Sequence, residues 1–138
     1  MNPRQARHDG LTDEFWAAAA AGRLVRPVCD NCGRSFFTPR WSCPYCRCED
    51  WSYQESSGTG TVYSATVVER GPDETWPTPY TLAIIDLDEG WSMLSRLFAD
   101  DGPALEPVPL GRRVSVRFVP EGREPHRTLP VFAVEGEL

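Results

Sequence analysis

From residue 51 onward the apolar positions recur mainly at every second place, the period of a strand with one buried face. "WSYQE" is a short alternating piece, and "TVYSATVVE", following the turn "SSGTG", is β-branched and aromatic enough for a long strand. "TLAIIDL" is the most apolar run and predicts a buried strand, and "DEG" turns it tightly into "WSMLSRLF". In "RRVSVRFV", Val114, Val116 and Phe118 alternate with Ser115, Arg117 and Val119, and "LPVFAVE" supplies a last strand. Loops rich in proline or glycine, "RGPDETWPTPY", "ADDGPALEPVPLG" and "PEGREPHRT", part these runs. After "WSYQE" this makes five strands: a long first one, a hairpin between the second and third, and a longer connection before the fourth. That order suits a Greek-key barrel of the OB type, one candidate among several small barrels.

Upstream the pattern changes. "LTDEFWAAAAAGRL" predicts a short helix over about Asp13 to Ala21. Thr12 is placed to cap it, Asp13 and Glu14 suit its positive end, five alanines propagate it and Gly22 stops it. Leu11, Phe15 and Trp16 form an apolar patch that either packs on the chain's own domain or docks onto a partner.

The chain's 138 residues allow one ordinary domain, or a small core domain with a metal-stapled appendage. The second is expected: a helical segment over 1–23, a metal-binding ribbon over 24–50 and a barrel over 51–138. The start, "MNPRQARHDG", has no apolar run of the signal-peptide kind and no segment approaches the length of a membrane span, so a cytoplasmic location is expected.

Charge divides the chain. Residues 1–48 carry seven Arg against four acids, whereas 49–138 carry seven Arg against sixteen. All 14 basic residues are Arg, which removes any Schiff-base or lysine-base mechanism and favours planar recognition of phosphate or carboxylate. Biased genomic base composition is an equally simple source of that usage. No nucleophile elbow, phosphate loop, dinucleotide fingerprint or histidine-based metal motif is present, so the isolated chain reads as a non-enzyme.

All five cysteines lie within "CDNCGRSFFTPRWSCPYCRC". Cys29-x-x-Cys32 and Cys43-x-x-Cys46 are two thiol hooks, and the ten residues between them suffice for a short hairpin that joins them. Four thiolates in a tetrahedron suit Zn²⁺ and also a single iron. Such a site is structural, because four protein ligands leave no position for substrate or water. Cys48 is a spare thiol, a substitute ligand for Cys46, or a nucleophile beside Arg47.

The runs "FWAAAAAGRLVRPVCDNCGRSFFTPRWSCPYC", "SGTGTVYSATVVER", "PYTLAIIDLDEG", "LGRRVSVRFV" and "LPVFAV" resemble the acyl-CoA-associated zinc-ribbon/OB-fold family long filed as a domain of unknown function. The likeness runs from about Phe15 to Val134. It implies a mainly β fold: an N-terminal helix, a rubredoxin-like zinc ribbon and a five-stranded OB-fold barrel. Family members are partner subunits or fused domains of thiolases, of thiolase-like aldolases in steroid side-chain degradation and of MaoC-like hydratases, whose partners supply the catalytic residues. The resemblance therefore implies structural Zn²⁺ on Cys29, Cys32, Cys43 and Cys46, and a role in scaffolding the complex and enclosing or channelling a CoA thioester. Arg23, Arg26, Arg34, Arg40 and Arg47 are then candidates for phosphate, and Phe37, Trp41 or Tyr45 for adenine. Phe37, Arg40 and Trp41 stand first as CoA or partner contacts. Two positions depart from the family pattern: Thr38 replaces a common second proline, and Arg47 replaces a glycine that commonly follows the last ligand.

Two other readings remain at the level of sequence. An OB barrel can bind single-stranded nucleic acid, although the excess of acids over residues 49–138 would repel phosphate. An iron tetrathiolate would instead make an electron carrier.

Overall fold

The computed structural model describes residues 10–72, 78–98, 107–120 and 127–135. His8 and His126, and the body of each loop rich in proline or glycine, lie outside them. One helix, α1 (Asp13–Ala20), precedes β1 (Val25–Cys29), β2 (Trp51–Glu55), β3 (Thr59–Val68), β4 (Tyr80–Leu87), β5 (Trp91–Phe98), β6 (Arg113–Pro120) and β7 (Thr128–Val134). No helix among the described residues is long and apolar enough to cross a membrane.

β3 to β7 close a barrel in the order β3-β4-β5-β7-β6, all neighbours antiparallel except the parallel pair β5-β7. This is the Greek-key closure expected of an OB fold. β3 serves two neighbours: Gly60 to Val68 pair along β4, and Thr59 to Thr61 pair with β6. A strand bridging both sides must bend, and its register shifts between Val62 and Ser64. Gly60 permits the crossing, since a Cβ there would stand 2.3 Å from the Asp86 carbonyl oxygen.

Alternation decides which faces turn inward. Thr81, Ala83, Ile85 and Leu87 of β4 are buried, as are Trp91, Met93, Ser95 and Leu97 of β5. Val114, Phe132 and Val134 complete the interior from β6 and β7. α1 shares this core: Phe15 and Ala18 are buried in it, joined by Leu24 and Val25 of the segment that follows. The helix's apolar patch thus packs on its own chain. Thr12 stands at the N-cap position, but its side chain makes no cap hydrogen bond; its backbone at φ -106°, ψ 3° departs from the extended cap geometry.

β1 was not read from the sequence. "VRPVC" contains a proline and runs straight into the first hook, yet it pairs in full register with β2, from Val25↔Glu55 to Cys29↔Trp51. Pro27 is tolerated because it opposes Tyr53 at a position that needs no N–H on that side, while its carbonyl accepts from the Phe36 N–H at 3.0 Å. The ribbon's sheet is therefore closed by β2 from beyond the second hook, and the hairpin expected between the hooks is not formed: residues 33–42 run as irregular chain with bends, tied to β1 by the isolated bridge Val28↔Ser35.

Candidate metal centre and its surroundings

The two hooks repeat the same backbone construction. Cys29 Sγ accepts the N–H groups of Asn31 and Cys32, each at 3.4 Å, and Cys43 Sγ accepts the Tyr45 N–H at 3.4 Å. Gly33 N–H donates to the Cys29 carbonyl at 3.0 Å, and Arg47 N–H to the Cys43 carbonyl at 2.8 Å. Cys29 N–H donates to the Arg34 carbonyl at 2.9 Å, and Cys43 N–H to the Cys48 carbonyl at 2.8 Å. Arg47 takes φ 66° where Gly33 takes 75°, so arginine occupies the left-handed place that glycine fills in the other hook.

This pairing brings Cys29, Cys32, Cys43 and Cys46 together, all four sulfurs within 4.8 Å of one another. Cys29 and Cys46 sulfurs are 3.5 Å apart and those of Cys32 and Cys43 are 3.7 Å apart. A tetrahedron with arms of about 2.3 Å separates its sulfurs by about 3.8 Å, so the cluster has the dimensions of a tetrathiolate metal site. Asn31 Nδ2 lies 3.6 Å from Cys46 Sγ. The Cys48 N–H, with Asn31, holds the Cys46 thiol down at about 6. The Cys32 N–H favours the Cys29 thiolate too, but burial and the neighbouring thiols outweigh it and push that group up to about 11. A bound cation would reverse this, because coordination deprotonates a thiol.

Cys48 is outside the four-sulfur group. By the symmetry of the hooks it matches Arg34, and its sulfur approaches only Asp50 Oδ2, at 4.0 Å. It packs instead beside Trp51 against the small core of Cys29, Phe36 and Cys43.

The pair Phe36-Phe37 joins the ribbon to the barrel. Phe36 is buried in the ribbon, 5.7 Å from the Trp51 ring centre. Phe37 packs the other way, 5.5 Å from Phe15 and 5.4 Å from Trp91. The three sequence candidates for CoA or partner contact therefore do not form one patch. Phe37 is half-buried and packs between Phe15 and Trp91, whereas Arg40 is exposed and Trp41 is 68% exposed. Of the other arginines, Arg26 donates to Ser35 Oγ and to the Glu55 carbonyl, and Arg34 stacks on Tyr45 at 4.8 Å. Arg34 and Tyr45 line a polar cleft of about 420 Å³ whose far wall is Glu89 and Gly90 of the β4-β5 turn.

That turn ties the ribbon-to-barrel joint. Burial disfavours the Glu89 charge, but donors from Ser56 Oγ, the Ser57 N–H, Ser57 Oγ and Trp91 Nε1 outweigh it and hold the carboxyl down at about 2. Next to it Asp88 forms a two-pronged pair with Arg113 at 2.8 and 2.7 Å and accepts from Thr59. On the ribbon's other flank, Tyr53 donates to the Leu11 carbonyl at 2.7 Å; burial, then Glu14 and Asp13, push its hydroxyl up to about 12.

The rubredoxin-like zinc ribbon domain of ChsH2 matches residues 16–51, and the C-terminal OB-fold domain of ChsH2 matches residues 53–119. This chain belongs to the ChsH2 zinc-ribbon/OB-fold family. It is 34% identical over 96% of its length to a probable enoyl-CoA hydratase alpha subunit of Thermomonospora curvata, and spans 40% of that relative. It is 37% identical over 69% of its length to a DUF35 domain-containing scaffold protein of Methanocaldococcus jannaschii, spanning 67% of it. Among solved structures, a chain of the Ltp2-ChsH2(DUF35) aldolase superposes with a TM-score of 0.79 at 31% identity, covering 93% of this chain and 97% of that one. The likeness spans both the ribbon and the barrel. The sequence offers Phe37 as a CoA or partner contact and carries no sign of its place between Phe15 and Trp91.

Proposed function

We propose that this chain is a non-catalytic partner subunit of a thiolase-like enzyme, either a thiolase or a retro-aldolase, or of a MaoC-like hydratase, acting on acyl-CoA thioesters. The observation that carries the reading is the likeness to a chain of the Ltp2-ChsH2(DUF35) aldolase over nearly the full length of both. The names of the hydratase subunit and the scaffold protein point the same way. In this reading Cys29, Cys32, Cys43 and Cys46 hold one Zn²⁺, which organises the ribbon and takes no part in the reaction. Burial of Phe37 between Phe15 and Trp91 then fixes the ribbon's surface relative to the barrel. Arg40 and Trp41 are offered outward as contacts for the partner or for CoA, the guanidinium suited to phosphate and the indole to adenine. The partner supplies the reacting groups, and this chain props the complex and helps enclose or pass on the thioester, in the cytoplasm.

Affinity purification from the cells that make the protein tests this. A thiolase-like, aldolase or hydratase chain should co-purify in fixed ratio, and Arg40→Ala with Trp41→Ala should weaken its retention or raise its KM for the CoA substrate. Recovery of the chain with no enzyme of these classes would sink the reading.

A further inference from the structure

The second hook carries a strain that the first does not. Its turn holds Arg47 at φ 66°, whereas Gly33 takes the matching place in the first hook at no steric cost. Cys46, the residue before Arg47, is therefore the ligand with most to gain from a hold outside its own hook.

That hold comes from Asn31. Asn31 and Tyr45 occupy the same place in the two hooks, directly before the second cysteine, and each donates its backbone N–H to the first cysteine's sulfur at 3.4 Å. Their side chains differ in what they offer. The Tyr45 ring lies under the Arg34 guanidinium, 4.8 Å from it, and has no amide to give a sulfur. Asn31 Nδ2 instead crosses from the first hook to Cys46 Sγ, at 3.6 Å. One residue thus donates to a sulfur on each hook, and the two sulfurs that it joins, those of Cys29 and Cys46, stand 3.5 Å apart. Among the described residues Asn31 has the one side-chain amide that bonds a sulfur of the cluster.

Four thiolates around Zn²⁺ leave the centre negatively charged. An N–H aimed at one sulfur draws off part of that charge and fixes the direction from which the sulfur meets the metal. We propose that Asn31 is a positioning residue that fixes Cys46 as the fourth ligand and sets how tightly the ribbon holds its metal. The inference rests on the tetrathiolate reading of the four cysteines and is independent of the subunit reading.

Competition between the full-length chain and a chelator of known affinity for Zn²⁺ tests the proposal. Asn31→Ala should raise the Kd about tenfold, the lower end of the range for groups that support a ligand, because this amide is exposed to water. Asn31→Asp has the same shape and keeps the backbone N–H on Cys29, but it turns a carboxylate oxygen toward the Cys46 thiolate, so its Kd should rise at least as much. With Co²⁺ in place of Zn²⁺, the thiolate-to-metal absorption band of both variants should weaken or shift at unchanged stoichiometry, while the circular dichroism of the loaded chain stays as in the wild type. A Kd and a band equal to the wild type in both variants would overturn the proposal and leave the metal site standing. Loss of affinity in Asn31→Ala but not in Asn31→Asp would also overturn it, since shape rather than the donated N–H would then be at work. A wild-type chain that takes up neither Zn²⁺ nor Co²⁺ would remove the tetrathiolate reading and the proposal together.

Discussion

Phe37 of the ribbon and Trp91 of the barrel lie with ring centres 5.4 Å apart and planes inclined at 52°. Through this contact and the one with Phe15, the ribbon shares the barrel's hydrophobic core. Truncation to Phe37→Ala should cost about 2–3 kcal/mol, somewhat below a fully buried phenylalanine because the ring is only partly enclosed. Denaturant unfolding followed by Trp fluorescence should show the loss. The variant should retain its metal, since Phe36 remains in the ribbon's own core.

The fourth ligand is the sharpest question the cysteines raise. Cys48→Ser should keep one metal per chain by elemental analysis, because its sulfur stands outside the cluster. Cys46→Ser should lose the metal or hold it far more weakly. The element itself should be zinc and the protein colourless; red protein containing iron would revive the electron-carrier reading.

Arg47 holds a backbone conformation that glycine adopts without strain, at φ 66°. Arg47→Gly should therefore stabilise the ribbon by roughly 0.5–1 kcal/mol, the relief of left-handed strain exceeding the entropy that glycine gains in the unfolded chain. A rise in the midpoint for metal release on heating would show it. The departure from the family pattern at this position thus strains the second hook.

Much of this was legible in the sequence, and the gaps have physical causes. The five barrel strands announced themselves through alternation, and the helix through its alanine run and the glycine that ends it, because each needs only local information. The four thiols did so by spacing. β1 did not, since its partner β2 begins more than twenty residues after it ends and proline argued against a strand. Nothing local distinguishes Phe36 from Phe37, although the first packs in the ribbon's own core and the second against the barrel's.

Glu89 gives the joint a pH dependence. Its carboxyl sits at about 2 in the folded chain against an ordinary 4.5, so its contribution is fully present above about 4.5 and is lost as pH falls through about 2. Glu89→Gln should be less stable than wild type at pH 7 by about 1 kcal/mol, a value reduced by solvent screening, and the difference should vanish toward pH 2. Chemical denaturation of both proteins across that range measures it, and acid loss of metal is common to the two. A difference that stays constant with pH would show that Glu89 acts through shape alone.

Turnover of an acyl-CoA thioester by the co-purified enzyme, measured with and without this chain, tests the subunit reading most directly. The chain alone should be inactive, the enzyme alone should be insoluble or severely slowed, and mixing the two should restore activity at a fixed ratio. Full activity of the enzyme without this chain, or turnover by this chain alone, would contradict it.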